Sequence, residues 1–122
     1  MSYISIKISG TPYSMINAHG GAEGVREWTK QIIQQTSHLP KIKEACILKA
    51  TFMLPPNKYP KDFPYGSNLD NLLKRFLDAL NHTVFSEAQG KDSCVISMNV
   101  TKVKVDAKDA GAYLEILPVS PR

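Results

Sequence analysis

The chain has 122 residues, enough for one domain with its own core, and its 43% hydrophobic content is that of a folded globular protein. Fifteen basic residues against eleven acidic ones leave a formal net charge of +4. No apolar run approaches the roughly 20 residues of a membrane span. The start, Met1 to Lys7, alternates polar with apolar residues and forms no signal-peptide core, so the cytoplasm is the expected compartment.

Ile4, Ile6 and Ile8 alternate with Ser5, Lys7 and Ser9, the period of a half-buried strand. Gly10-Thr11-Pro12-Tyr13-Ser14 and the stretch from Asn17 to Gly21 then predict a long loop. Val25, Trp28, Ile32 and Ile33 share one face of a helix expected from Ala22 to about Ser37, which His38-Leu39-Pro40 ends. Cys46, Leu48, Ala50, Phe52 and Leu54 predict a strand over 46–54 with one buried side. Four prolines and a glycine in 55–67 admit neither helix nor strand and predict a structured loop.

The clearest periodicity follows. Leu69, Leu72, Leu73, Phe76, Leu77 and Leu80 repeat at i, i+3, i+4, i+7, i+8 and i+11, an amphipathic helix whose other face carries Asp70, Asn71, Lys74, Arg75 and Asp78. After a loop from Asn81 to Lys91, Ser93 to Val105 reads as a long strand with Cys94, Ile96, Met98 and Val100 toward the core. Asp106 to Gly111 turns the chain into a last strand over 113–117. The order β-α-β-α-β-β predicts a single α+β domain spanning residues 1–122, with helices packed on a mixed sheet.

Cys46 and Cys94 lie in apolar runs with no Cys or His at metal spacing, which predicts buried reduced thiols and no zinc site. Charge is concentrated: between residues 41 and 61, Lys41, Lys43, Lys49, Lys58 and Lys61 face a single acid, Glu44. Such a segment favours polyanions, because each neutralised phosphate releases a counterion. Tyr59, Phe63 and Tyr65 interleave with Lys58 and Lys61, as residues that stack on bases do. Aromatics that merely anchor a proline-rich loop look the same. His19, His38 and His82 have no acid or nucleophile at useful spacing.

The helix beginning near residue 68 holds the chemistry. Asn68 or Ser67 suits an N-cap, Asp70 in the first turn complements the helix dipole, and Asp70 and Lys74 stand at ion-pair spacing. Cap chemistry alone explains each of these residues. They also suit a phosphate site. With residue 68 outside the helix as the cap, its side chain and that of Asp70 converge where free N–H groups attract anions. Asp92, before the next strand, would close the set. Hard oxygen ligands suit magnesium or manganese, and Lys74 would hold a phosphate.

Asn68-Leu69-Asp70-Asn71-Leu72-Leu73-Lys74, then Leu77-Asp78-Ala79-Leu80-Asn81, Val84-Phe85 and Lys91-Asp92-Ser93-Cys94-Val95, resemble the RusA family of Holliday-junction resolvases. That family's pattern is Asp-x-Asp-Asn-Leu-x-Lys, a helix ending near Asp-Ala-Leu, then Asp-Asp-Ser-Gln before a strand. Ser9-Gly10-Thr11-Pro12-Tyr13-Ser14 is similar to its Gly-x-Pro-x-Ser segment. The resemblance implies a homodimeric, Mg2+-dependent (or Mn2+-dependent) endodeoxyribonuclease that resolves four-way DNA junctions in recombination and repair. It implies acids at positions matching residues 68, 70 and 92, with a lysine matching Lys74 needed for activity. Lys58, Lys61, Lys74, Arg75 and Lys91 are the expected DNA contacts. The chain departs from the pattern at Asn68, where the carboxylate is missing, and at Lys91. Three readings of Asn68 stand open: a junction-binding relative with little or no activity, an enzyme in which another acid such as Glu87 compensates, or a deliberate Asp-to-Asn change.

Overall fold

The computed structural model describes residues 3–14, 21–62 and 64–119. Six main elements run in chain order: β1 (Ile4–Ser9), α1 (Gly21–Thr36), β2 (Cys46–Leu54), α2 (Leu69–Leu80), β3 (Val95–Lys104) and β4 (Gly111–Pro118), with short 3-10 turns at Pro56–Lys58, Lys91–Cys94 and Ala107–Asp109. The expected β-α-β-α-β-β order and α+β class are both present. Their boundaries move by one or two residues, most visibly at Ser93 and Cys94, which close a 3-10 turn and do not open the strand. The last strand is longer than its central apolar residues predict, because Gly111 and Ala112 pair with β1 as well.

The four strands lie in the order β1-β4-β2-β3. β4 runs antiparallel to both β1 and β2, whereas β2 and β3 are parallel. A parallel pair needs a crossover, and α2 supplies it. It therefore starts at the carboxyl ends of β2 and β3 and returns to their amino ends.

The core is built from alternation. Cys46, Leu48, Ala50, Phe52 and Leu54 of β2 are fully buried on one side, joined by Ala112, Leu114 and Ile116 of β4 and Ile4 and Ile8 of β1. Leu72, Phe76, Ala79 and Leu80 of α2 cover that side, with Val25, Trp28 and Ile32 of α1. Phe76 anchors the layers: its ring stacks with Trp28 at 6.4 Å and meets Phe52 edge-on at 5.3 Å. The helices thus occupy one side of the sheet.

β3 corrects one expectation. Met98 lies opposite Leu48 and shares its face, but Met98 is 43% exposed and Ile96 65% exposed. The periodicity is there; the cover is not. β3 is an edge strand, and the helices leave Ile96 and Met98 uncovered. A register shift between Cys46 and Ile47 leaves Ile96 as the extra residue at the start of the strand.

Candidate functional site

Asn68 is the N-cap of α2, with extended backbone angles, and its carbonyl accepts the N–H of Leu72. Its side chain makes no capping bond. Asp70 accepts the backbone N–H of Asn71 at 2.9 Å, so its carboxylate already serves a free N–H of the first turn. Lys74 is exposed. The expected Asp70–Lys74 ion pair is absent: among the described residues the ion pair within 4 Å is Lys43–Glu87, at 3.9 Å. Glu87 lies in the loop beyond the C-cap of α2, at the other end of the helix from Asn68.

Asp92 does not join Asp70. It accepts the side-chain N–H of Asn81 at 2.9 Å, and Asn81 is the C-cap of α2. Eleven residues separate Asp70 from Asn81, about 16 Å at the rise of an α-helix. The reason is topological, since a crossover helix between parallel strands delivers the residues before β3 to the end of the sheet opposite its own start. Lys91 goes with Asp92. It takes a left-handed backbone (φ 55°) and donates to the Ser86 carbonyl at 2.8 Å.

No group of three or more Asp, Glu, His or Cys among the described residues is placed to hold a metal ion. The donor set at the start of α2 is one carboxylate, already hydrogen-bonded, and one neutral amide. These residues do not fit the carboxylate centre that magnesium or manganese would need.

What does collect at the start of α2 is positive charge. Lys102 donates to the Ser67 carbonyl at 2.7 Å, next to the N-cap. Lys104, opposite Leu54 at the end of β2, lies 5.3 Å from the centre of the Tyr59 ring. Gly66 is what lets these parts close up. Its φ of +78° suits glycine, and a Cβ there would stand 3.1 Å from Tyr59. Lys58, one residue before Tyr59, places its ammonium 3.1 Å over the centre of the Tyr13 ring. Tyr13 lies so close to α1 that any Cβ on Gly24 would clash with it. Lys58 is half-buried, and desolvation pulls its ammonium down to about 8.

The remaining expectations divide. Lys61 is exposed in the proline-rich loop, and Arg75 is partly buried, its Nε enclosed with no hydrogen-bond partner among the described residues. Tyr65 is 80% exposed, Tyr59 is partly buried against the core, and Phe63 and His19 lie outside the described residues. His38 and His82 are exposed. Cys46 is buried and Cys94 partly so; both are free thiols that burial pushes up, Cys46 to about 12. Trp28 is core.

Lys102 and Lys104 were not among the expected contacts. Their signal was the pair of lysines two apart at the end of the last long strand, but only a parallel β2–β3 pairing places that end beside the start of α2. No protein-family model matches this sequence, and no curated protein matches it.

Proposed function

We propose that this chain is a RusA-like protein of branched DNA whose protomer binds the phosphate backbone at the start of α2. The observation that carries the reading is the gathering of Lys58, Lys102 and Lys104 with the N-terminus of α2 at the carboxyl ends of the two parallel strands. Ligands of open α/β sheets favour that end, and helix N–H groups and lysines both attract phosphate. The cations have no acid salted against them within 4 Å among the described residues, so DNA would bring the missing counter-charge.

Metal-dependent hydrolysis of the junction is the activity the resemblance implies, and it asks for more than this protomer brings together. Asp70 stands beside Asn68, an amide, and Asp92 is at the far end of the helix. Junction binding is therefore the primary role proposed, with weak or absent cleavage. The homodimer implied by the resemblance would suit symmetric engagement of a four-way junction, and a second copy is the available source of a further carboxylate.

The test is a labelled four-way junction, with duplex as control, in magnesium and in manganese. The protein, Asn68→Asp and Asp70→Ala are compared for binding and for cleavage. Preferential junction binding that survives Asp70→Ala, without cleavage, supports the proposal. Cleavage by the protein itself, lost in Asp70→Ala, replaces it with an active resolvase. Equal affinity for duplex and junction overturns both.

A further inference from the structure

The end of the sheet that holds the lysines also holds a cleft. β1 and β2 both run antiparallel to β4, so they point the same way, and the chain leaves β1 at Gly10 on the side where β2 ends. Between Gly10–Tyr13 and α1 lies an open cleft of about 450 Å3, within the range of small-molecule sites. Gly10, Thr11 and Tyr13 line one side of it, and Glu27, Trp28 and Gln31 of α1 the other.

The α1 side of the cleft carries a polar edge whose direction the backbone fixes. The Ser9 N–H can only donate, and it donates to the side-chain oxygen of Gln35 at 2.9 Å. The Gln35 amide nitrogen therefore donates to the Ser9 carbonyl and to the Gln31 side-chain oxygen, each at 2.9 Å. The Gln31 amide nitrogen donates in turn to Glu27 at 2.9 Å. Steps of four residues set the three side chains on one stripe of the helix. Neither amide can turn over without breaking at least two of these bonds. A carboxylate has several lone pairs and a primary amide two N–H groups, so the Gln31–Glu27 bond uses only part of each. The ladder ends as an acceptor, Glu27, beside a donor, Gln31.

An acceptor beside a donor complements the Watson–Crick edge of a nucleobase, which offers a donor next to an acceptor only when the base is unpaired. The cleft also adjoins a cation. Tyr13 lines it, and the Lys58 ammonium lies 3.1 Å from the centre of the Tyr13 ring. A phosphate held by Lys58 would therefore stand next to a cleft that suits a base. We propose that the cleft between Gly10–Tyr13 and α1 receives an unpaired base of the bound DNA strand, with Glu27 and Gln31 reading its Watson–Crick edge. This deepens the DNA reading above and rests on it. The same contact would account for a preference for branched over duplex DNA, since a duplex keeps that edge occupied and a base beside a break in stacking leaves its place more easily.

A carboxylate facing DNA is otherwise repulsive, and that sign makes the proposal testable. Fluorescence anisotropy compares a labelled short single strand, an abasic backbone of the same length and the four-way junction. The proteins are the parent, Glu27→Ala, Glu27→Gln and Lys102→Ala, each checked for fold by circular dichroism; Glu27 is exposed, so its loss leaves the core untouched. On charge alone both Glu27 variants would bind all three DNAs more tightly. With a base in the cleft they should bind the strand and the junction about tenfold more weakly, and the abasic backbone no more weakly than the parent does. Glu27→Gln should lose as much as Glu27→Ala, because Gln31 would hold its oxygen and leave an N–H where the acceptor was. Lys102→Ala should weaken all three DNAs alike. Unchanged or tighter binding of the strand by the Glu27 variants overturns the proposal and leaves the DNA reading standing, as does an equal loss on the abasic backbone. Absence of binding by the parent overturns the DNA reading, and this inference with it. Free deoxynucleotides at millimolar concentration, followed by Trp28 fluorescence, separate the two sources of a base. Quenching that Glu27→Ala removes, with strand affinity unchanged in that variant, would assign the cleft to a free nucleotide and overturn the proposal.

Discussion

On the DNA-binding reading proposed above, half-buried Lys58 should make the affinity depend on pH around a midpoint of about 8. Its ammonium lies 3.1 Å over the Tyr13 ring, half-buried, and burial pulls its midpoint down to about 8. The face of an aromatic ring favours the cation by about 0.5–1 kcal/mol, which returns less than one pH unit of that shift. A phosphate bound to the ammonium favours the charged form much further. Binding then takes up a proton above the midpoint, and only the protonated fraction is competent. With a midpoint of about 8, that fraction falls from about 0.9 at about pH 7 to about 0.1 at about pH 9, a loss of about tenfold in affinity, or about 1.4 kcal/mol. Stability of the free protein moves the other way. The folded midpoint is depressed, so between about 8 and the ordinary lysine value of 10.5 the unfolded chain holds the extra proton. Stability therefore rises with pH across that window, by about 1 kcal/mol once partial exposure is discounted. Fluorescence anisotropy of a labelled junction at fixed ionic strength reads the first effect. Lys58→Arg, always charged, should flatten the profile while keeping affinity, and Lys58→Ala should flatten it at low affinity. An unchanged pH profile in Lys58→Ala would refute the reasoning.

Three further outcomes follow from the same geometry. Lys102→Ala removes the bond to the Ser67 carbonyl. It should lower stability by about 1 kcal/mol in urea unfolding and reduce the salt dependence of DNA binding by about one phosphate contact. Gly24→Ala forces Tyr13 off α1, so it should return the Lys58 midpoint toward that of an ordinary lysine and abolish the pH dependence above, read in the same anisotropy titration. Phe76→Ala opens the contact between Trp28 and Phe52 and should cost about 3–5 kcal/mol in denaturant unfolding. Fluorescence of Trp28, the single tryptophan, should report the loosening directly.

Most of the fold was legible because each element carries its own period. Leu69 to Leu80 repeats at helical spacing and α2 spans those residues; Cys46 to Leu54 alternates and is a strand over that stretch. Trp28 among Val25 and Ile32 read as core and is buried. What alternation cannot say is whether a face is covered. Ile96, Met98 and Val100 have the same pattern as Leu48, Ala50 and Phe52, but β2 lies inside the sheet and β3 at its edge. Strand order is a long-range property, set by which pairings bury the most apolar surface. A single strand's pattern does not contain it.

The site was legible in its parts and not in its assembly. Asn68 at the N-cap and Asp70 in the first turn are local facts, decided within four residues, and both are in place. Bringing Asp92 to them required a direction for the strand after the helix. Sequence distance is neutral on this point, since a helix returning to an antiparallel neighbour and one crossing to a parallel neighbour have the same periodicity. The parallel pairing of β2 with β3 fixes the answer: it carries Asp92 and Lys91 away with the C-cap and brings Lys102 and Lys104 to the N-cap. One choice of strand direction therefore removes a carboxylate from the start of α2 and adds two lysines to it. The balance there shifts from holding a metal toward holding a phosphate chain, and for that reason binding stands ahead of hydrolysis in the function proposed.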